Sequence, residues 1–206
     1  MTRSIRCCRG LAFALPLAIV VFFSAGPPAF ACACCTHEGQ RHIATVALDS
    51  GKQQEIESLR FAGKATLFTG EGDAADIKGI TTPSASYELT AKWLDDRLVL
   101  SFRDKLGRTG ILSIAPPKTL SVFEVDPRDR PDRGQGPTLY KEWKLSAPAA
   151  GSGVFRPGIA PRQLLTLILQ GGGNSCTSAN DFSHWTLVMR GPKANYTLFG
   201  DLVTTK

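Results

Sequence analysis

The residues best suited to chemistry crowd into six positions, Cys32-Ala33-Cys34-Cys35-Thr36-His37. Thiolate and imidazole are soft donors, and a short extended Cys-x-Cys-Cys segment can turn several sulfurs toward one ion. Cu(I) or Zn is the metal such a set suits, with Cys32, Cys34, Cys35 and His37 as ligands and Cys176 as a further donor from a distant loop. The same thiols also permit disulfide bonds or thiol–disulfide exchange. Covalent haem attachment is excluded, because Thr36 follows Cys32-x-x-Cys35 where that motif needs histidine.

The choice among these chemistries depends on compartment, and the residues ahead of the cluster speak to it. Arg3, Arg6 and Arg9 make a positive start, and Leu11 to Phe23 is an apolar run broken only by Pro16. Ser24-Ala25-Gly26-Pro27-Pro28 then stops any helix before Ala29-Phe30-Ala31. This three-part pattern predicts a secretory signal peptide over residues 1–31, cleaved after Ala31. A membrane span needs about 20 apolar residues, more than this run supplies. The expected mature protein, residues 32–206, is therefore exported, periplasmic or secreted. Its Cys32 would head the chain, which raises a lipid anchor. The residues before it argue against one: Ala29 stands where lipoprotein signals carry leucine, and Phe30 is bulky.

Cys7 and Cys8 leave with the signal. Cys32, Cys34, Cys35 and Cys176 remain, an even set that oxidising compartments favour as disulfides. A Cys34–Cys35 bridge would close a small strained ring. The expected staple joins one N-terminal thiol to Cys176 and ties the mature terminus to the domain. Two cysteines are then left over for metal, exchange or a second pairing.

The rest of the chain must position this cluster. About 175 residues follow the signal, enough for one domain with one core. The whole sequence has 24 Lys+Arg against 18 Asp+Glu; without the three signal arginines the balance is about +3. So mild a charge does not predict nucleic-acid binding. No later stretch is long and apolar enough for a membrane span.

Ser84 to Ala115 carries the clearest pattern. Tyr87, Leu89, Ala91 and Trp93 alternate with polar residues, and Leu98, Leu100 and Phe102 do so again after Asp95-Asp96. A third run through Ile111, Leu112 and Ile114 follows the Lys105–Arg108 turn. Period-two alternation with short turns predicts an antiparallel three-stranded meander. Arg41–Leu48, Lys64–Thr69, Thr119–Val125, Gln163–Gln170, His184–Arg190 and Asn195–Val203 also read as strands. Gln54–Phe61 is ambiguous between helix and strand, as is Leu139–Leu145. Ser146–Pro161 reads as a connection, and the Pro- and charge-rich Asp126–Pro137 as an exposed loop. Acids at Glu71, Asp73 and Asp76 lack calcium-loop spacing. The expected fold is all-β and mainly antiparallel, a single-domain sandwich or barrel of roughly nine short strands.

Enzyme signatures are absent. The chain has no Gly-x-Ser-x-Gly elbow, no phosphate-binding Gly-x-x-x-x-Gly-Lys and no His-Glu-x-x-His. His184, beside Trp185, reads as packed at a strand start, and Trp93, Trp143 and Trp185 read as core. The expected function is a non-enzymatic exported β-domain with a ligand or partner, its N-terminus stapled by disulfide. The alternatives are a periplasmic copper- or zinc-binding protein and a thiol–disulfide exchange protein.

Overall fold

The computed structural model describes residues 41–125, 139–173 and 179–203. The signal segment, Cys32, Cys34, Cys35, His37 and Cys176 lie outside the described residues, as do the predicted loop over Asp126–Pro137 and the pairing of any cysteine.

The all-β expectation holds. Among the described residues, eleven strands form one antiparallel sheet, ordered β1-β6-β7-β9-β10-β11-β2-β3-β4-β5-β8. In chain order they are β1 (Arg41–Ala47), β2 (Lys64–Phe68), β3 (Ser86–Leu94), β4 (Arg97–Arg103), β5 (Thr109–Ile114), β6 (Thr119–Val125), β7 (Leu139–Pro148), β8 (Ala150–Gly153), β9 (Leu164–Gly173), β10 (Phe182–Arg190) and β11 (Asn195–Asp201). The sheet is not closed, since β1 and β8 end it without pairing to each other. It is therefore neither two separate sheets nor a sealed barrel. The count exceeds nine because the ambiguous Leu139 segment is a ten-residue strand, and because the expected connection at Ser146–Pro161 holds the end of β7 and all of β8.

The meander forms as its alternation requires. β3, β4 and β5 pair in sequence, with Leu89 opposite Phe102 and Leu100 opposite Leu112. Asp95 and Asp96 make the two-residue turn between Leu94 and Arg97, both with positive φ, 48° and 59°. That is the backbone a tight hairpin demands, and aspartate is among the few non-glycine residues that accept it. The second turn is held by Asp104, whose carboxylate accepts from the amides of Leu106 and Arg108 at 2.9 Å each and from Arg108 Nε at 2.6 Å.

The other ambiguous segment is helical: α1 spans Ser50–Ser58. Asp49 caps it, its side chain accepting from Lys52 N, and Leu59 leaves helical geometry with ψ 142°. Ile56 is the one residue the helix buries. Packing rather than intrinsic amphipathicity holds so short a helix in place.

Alternation sends one set of side chains inward along every long strand. Leu145, Leu167, Leu187, Leu198 and Leu67 stand opposite one another across β7, β9, β10, β11 and β2. All five are buried. Phe102, Phe155 and Tyr196 join them through ring contacts of 5.0 and 5.9 Å, and Trp143 meets Phe182 edge-on at 5.2 Å. Trp143 and Trp185 are core as expected, and Trp93 is partly buried against it. One hydrophobic cluster collects residues from both halves of the sheet, so the sheet must coil over its own inner face. Among the described residues, no helix is long and apolar enough to cross a membrane.

Candidate functional site

Two places gather chemistry-bearing side chains. The first lies on the outer face, where antiparallel register aligns the polar half of each alternating strand. Glu142 of β7 stands opposite Gln170 of β9, Gln170 opposite His184 of β10, and His184 opposite Asp201 of β11. The side chains here form two hydrogen-bonded groups, one around Gln170 and one at His184 and Asp201. Gln170 Nε2 donates to Tyr140 Oη at 3.1 Å and to Glu142 Oε1 at 3.3 Å, while Tyr140 Oη donates to Glu142 Oε1 at 2.6 Å. The other end of the same amide, Oε1, accepts from Thr186 at 2.8 Å. His184 Nδ1 meets Asp201 Oδ1 at 2.8 Å, with both side chains more than half exposed.

Tyr140, Gln170, His184, Thr186 and Asp201 border a cavity of about 570 Å³ that also includes Gly171, Gly172, Ser183, Phe199 and Gly200, with Glu142 just outside its lining. A break in register between Phe182 and His184 carries Ser183 to its rim. Such a bulge re-aims side chains, here at the place where β10 enters the groove. Gly172 stands opposite Tyr140, so the ring has no side-chain neighbour across that pairing.

The electrostatics follow from this wiring. Burial pushes the Tyr140 phenol up, and its hydrogen bond to Glu142 adds to that, reaching about 12. Burial also acts to raise Glu142, but hydrogen bonds from Lys144 and Tyr140 outweigh it and leave the carboxyl below its usual range. Lys144 Nζ sits 2.8 Å from Glu142 Oε2. Glu142 and Lys144 thus neutralise each other beside the groove, whose own lining carries one carboxylate, Asp201.

The second place is inside. His42, Glu124, Lys141 and Gly171 stand opposite one another across β1, β6, β7 and β9. Glu124 and Lys141 are buried, Lys141 completely. The Lys141 ammonium lies 3.0 Å from Asp181 Oδ2 and 5.3 Å from the centre of the Phe182 ring. Burial raises the Glu124 carboxyl above its ordinary value, against the opposing pull of His42 and Lys141. Glu55 of α1 reaches over and accepts from Ala179 N at 2.8 Å. Glu55 and Glu124 share a recess of about 260 Å³ floored by Val46, Val122 and Trp143.

Gly171 matters to this inner arrangement. A Cβ there would stand 2.0 Å from the Asp181 carbonyl oxygen, so the residue must be glycine for the turn carrying Asp181 to approach β9.

His184, expected to be packed at a strand start, instead points outward to Asp201. Among the described residues no group of three or more His, Cys, Asp and Glu could hold a metal ion. Sequence reasoning missed Glu142, Gln170, Thr186 and Asp201. Their signal was present, since each occupies the polar phase of an alternating strand, but the register that aligns them joins four strands. No family model, curated protein or solved structure matches the chain.

Proposed function

We propose that this protein is an exported, non-enzymatic binding domain whose ligand seats in the outer groove over β7, β9, β10 and β11. The observation that carries this reading is the row from Glu142 to Asp201, pre-wired around Gln170. Its central amide is fixed from both ends by Tyr140, Glu142 and Thr186, while the His184–Asp201 end stays open to solvent. Side chains locked by one another before a ligand arrives lose little entropy on binding it. A cavity of this size falls within the range of small-molecule sites. The signal pattern over 1–31 supports export, and a bridge from Cys32, Cys34 or Cys35 to Cys176 would tether the mature terminus.

The test is amide chemical-shift mapping of the mature protein with a library of small neutral fragments. Shifts should cluster at Gln170, His184, Thr186, Phe199 and Asp201. Shifts confined to other faces, or none at all, would overturn the reading.

The donor set Cys32, Cys34, Cys35 and His37 supports a second reading, soft-metal binding with copper or zinc. A free-thiol count and metal analysis on one periplasmic preparation separate the two roles of the cysteines. Four oxidised cysteines without metal leave only the staple. Stoichiometric metal that is lost in Cys34→Ser establishes the metal site. Insulin reduction that survives metal removal would instead point to thiol–disulfide exchange.

A further inference from the structure

We infer that the ligand of the outer groove is a neutral, hydroxyl-rich molecule, a short oligosaccharide; this rests on the binding reading above and gives it a chemical class. Four features of the groove lead there.

The first is the absence of a usable backbone edge. β7, β9, β10 and β11 each have a hydrogen-bonded strand on both sides. A peptide cannot add to the sheet here as an extra strand, because the backbone groups such a mode needs are already committed. Recognition must come from side chains projecting off the face.

The second is the balance of donors and acceptors. Asp201 contributes a carboxylate, which only accepts when ionised. Gln170 has both ends of its amide engaged. His184, which lines the groove, has committed Nδ1 to Asp201. Ser183, also in the lining, offers a hydroxyl that both donates and accepts, so a ligand complementary to this surface brings donors for Asp201 and groups that do both for Ser183, as hydroxyls do. Phosphate, sulfate and other anions would meet the Asp201 carboxylate in a groove whose lining, among the described residues, has no lysine or arginine.

The third is flat apolar surface beside the polar row. Phe199 is 40% exposed at one side of the groove. Tyr140 stands at the other, braced edge-on by Phe123 at 6.2 Å. Sugar rings present faces of C–H groups bordered by hydroxyls, and an aromatic face next to fixed polar groups satisfies both parts at once. The fourth is space: Gly172, opposite Tyr140, leaves room over β9 for a ring to lie against the phenol.

The test uses mature protein with its cysteines intact and four probes: maltohexaose, cellohexaose, chitohexaose and xylohexaose. Calorimetric titration and amide shift mapping are run on the wild type, on Phe199→Ala and His184→Ala, and on Ile111→Ala, an exposed position on β5 outside the groove. Circular dichroism and melting confirm that each variant is folded. The expected result is saturable binding of at least one saccharide, shifts at Gln170, His184 and Asp201, and a tenfold or greater loss of affinity in both groove variants but not in Ile111→Ala. Saccharide binding that the groove variants leave intact would overturn the inference. Silence toward all four saccharides, with non-saccharide fragments still shifting the groove amides, would overturn the sugar class and leave the binding reading standing. Silence toward both would sink the two together.

Discussion

Replacing Lys141 by methionine tests the interior of the sheet most directly. The ammonium is fully buried, 3.0 Å from Asp181, and stands opposite the buried Glu124. Methionine keeps most of the stem's packing and removes the charge. Deleting one member of a buried ion pair costs about 3–5 kcal/mol, because the partner is left uncompensated. The lower end applies here: the Asp181 side chain is one-quarter exposed and keeps some water. We therefore expect a loss of about 3 kcal/mol at pH 8. For a domain of this size that lowers the melting temperature by roughly 6–12 °C.

The pH dependence gives a second readout. Glu124 has its folded pKa raised, chiefly by burial, so the folded state holds that proton more tightly than the unfolded state. Its contribution to stability is greatest below the unfolded carboxyl value of about 4.3 and falls as pH rises toward and through the folded value. Lys141 is one of the charges opposing that rise. Without it the Glu124 pKa climbs further and the decline extends to higher pH. Lys141→Met should thus be less costly at pH 5 than at pH 8, and adding Glu124→Gln should recover about 1–2 kcal/mol at pH 8. Urea denaturation at the two pH values measures all of this. A cost below about 1 kcal/mol, the level of an exposed pair, would refute the argument. So would a cost that does not change with pH.

Two further outcomes follow from the packing. Leu187→Ala, at the middle of the five-leucine row, should cost about 2–5 kcal/mol in urea denaturation without changing the groove's ligand shifts. The three tyrosines, Tyr87, Tyr140 and Tyr196, all have raised phenol pKa values, burial being the leading cause for each. An ultraviolet titration of the native protein should show little phenolate at pH 10.0, the ordinary tyrosine value. Glu142→Gln should shift the Tyr140 transition downward, since the bond to that carboxylate holds it up. Normal titration of all three in a folded sample would contradict the burial described.

The sequence made the meander legible because each of its strands alternates cleanly and its turns are short. Asp95-Asp96 marked the first hairpin correctly. β8 was hidden for the opposite reason: Ala150-Gly151-Ser152-Gly153 has almost no side chains with which to alternate. Its glycines are there because backbone comes close. A Cβ on Gly153, at φ +62°, would stand 2.2 Å from the Thr109 carbonyl oxygen. The Leu139 segment was ambiguous because its inward phase includes Lys141, a residue that a hydropathy pattern assigns to solvent. The groove was illegible as a site for a different reason. Each polar residue could be placed on an outer face, but which four faces meet depends on pairings between distant stretches of chain.

The position of β11 has a consequence for the timing of folding. This last strand lies between β10 and β2, with Leu198 opposite both Leu187 and Leu67. Without it the strand order falls into two groups of five, β1-β6-β7-β9-β10 and β2-β3-β4-β5-β8, with no ladder between them. A chain still being synthesised cannot link its two strand groups by a ladder until Asn195–Asp201 has been made. Sheets built on such distant pairings form slowly, because the loop must close before its contacts repay the cost. Under the export reading proposed above, that delay would let the leading part be threaded through a membrane while the strand that locks the fold is still unmade.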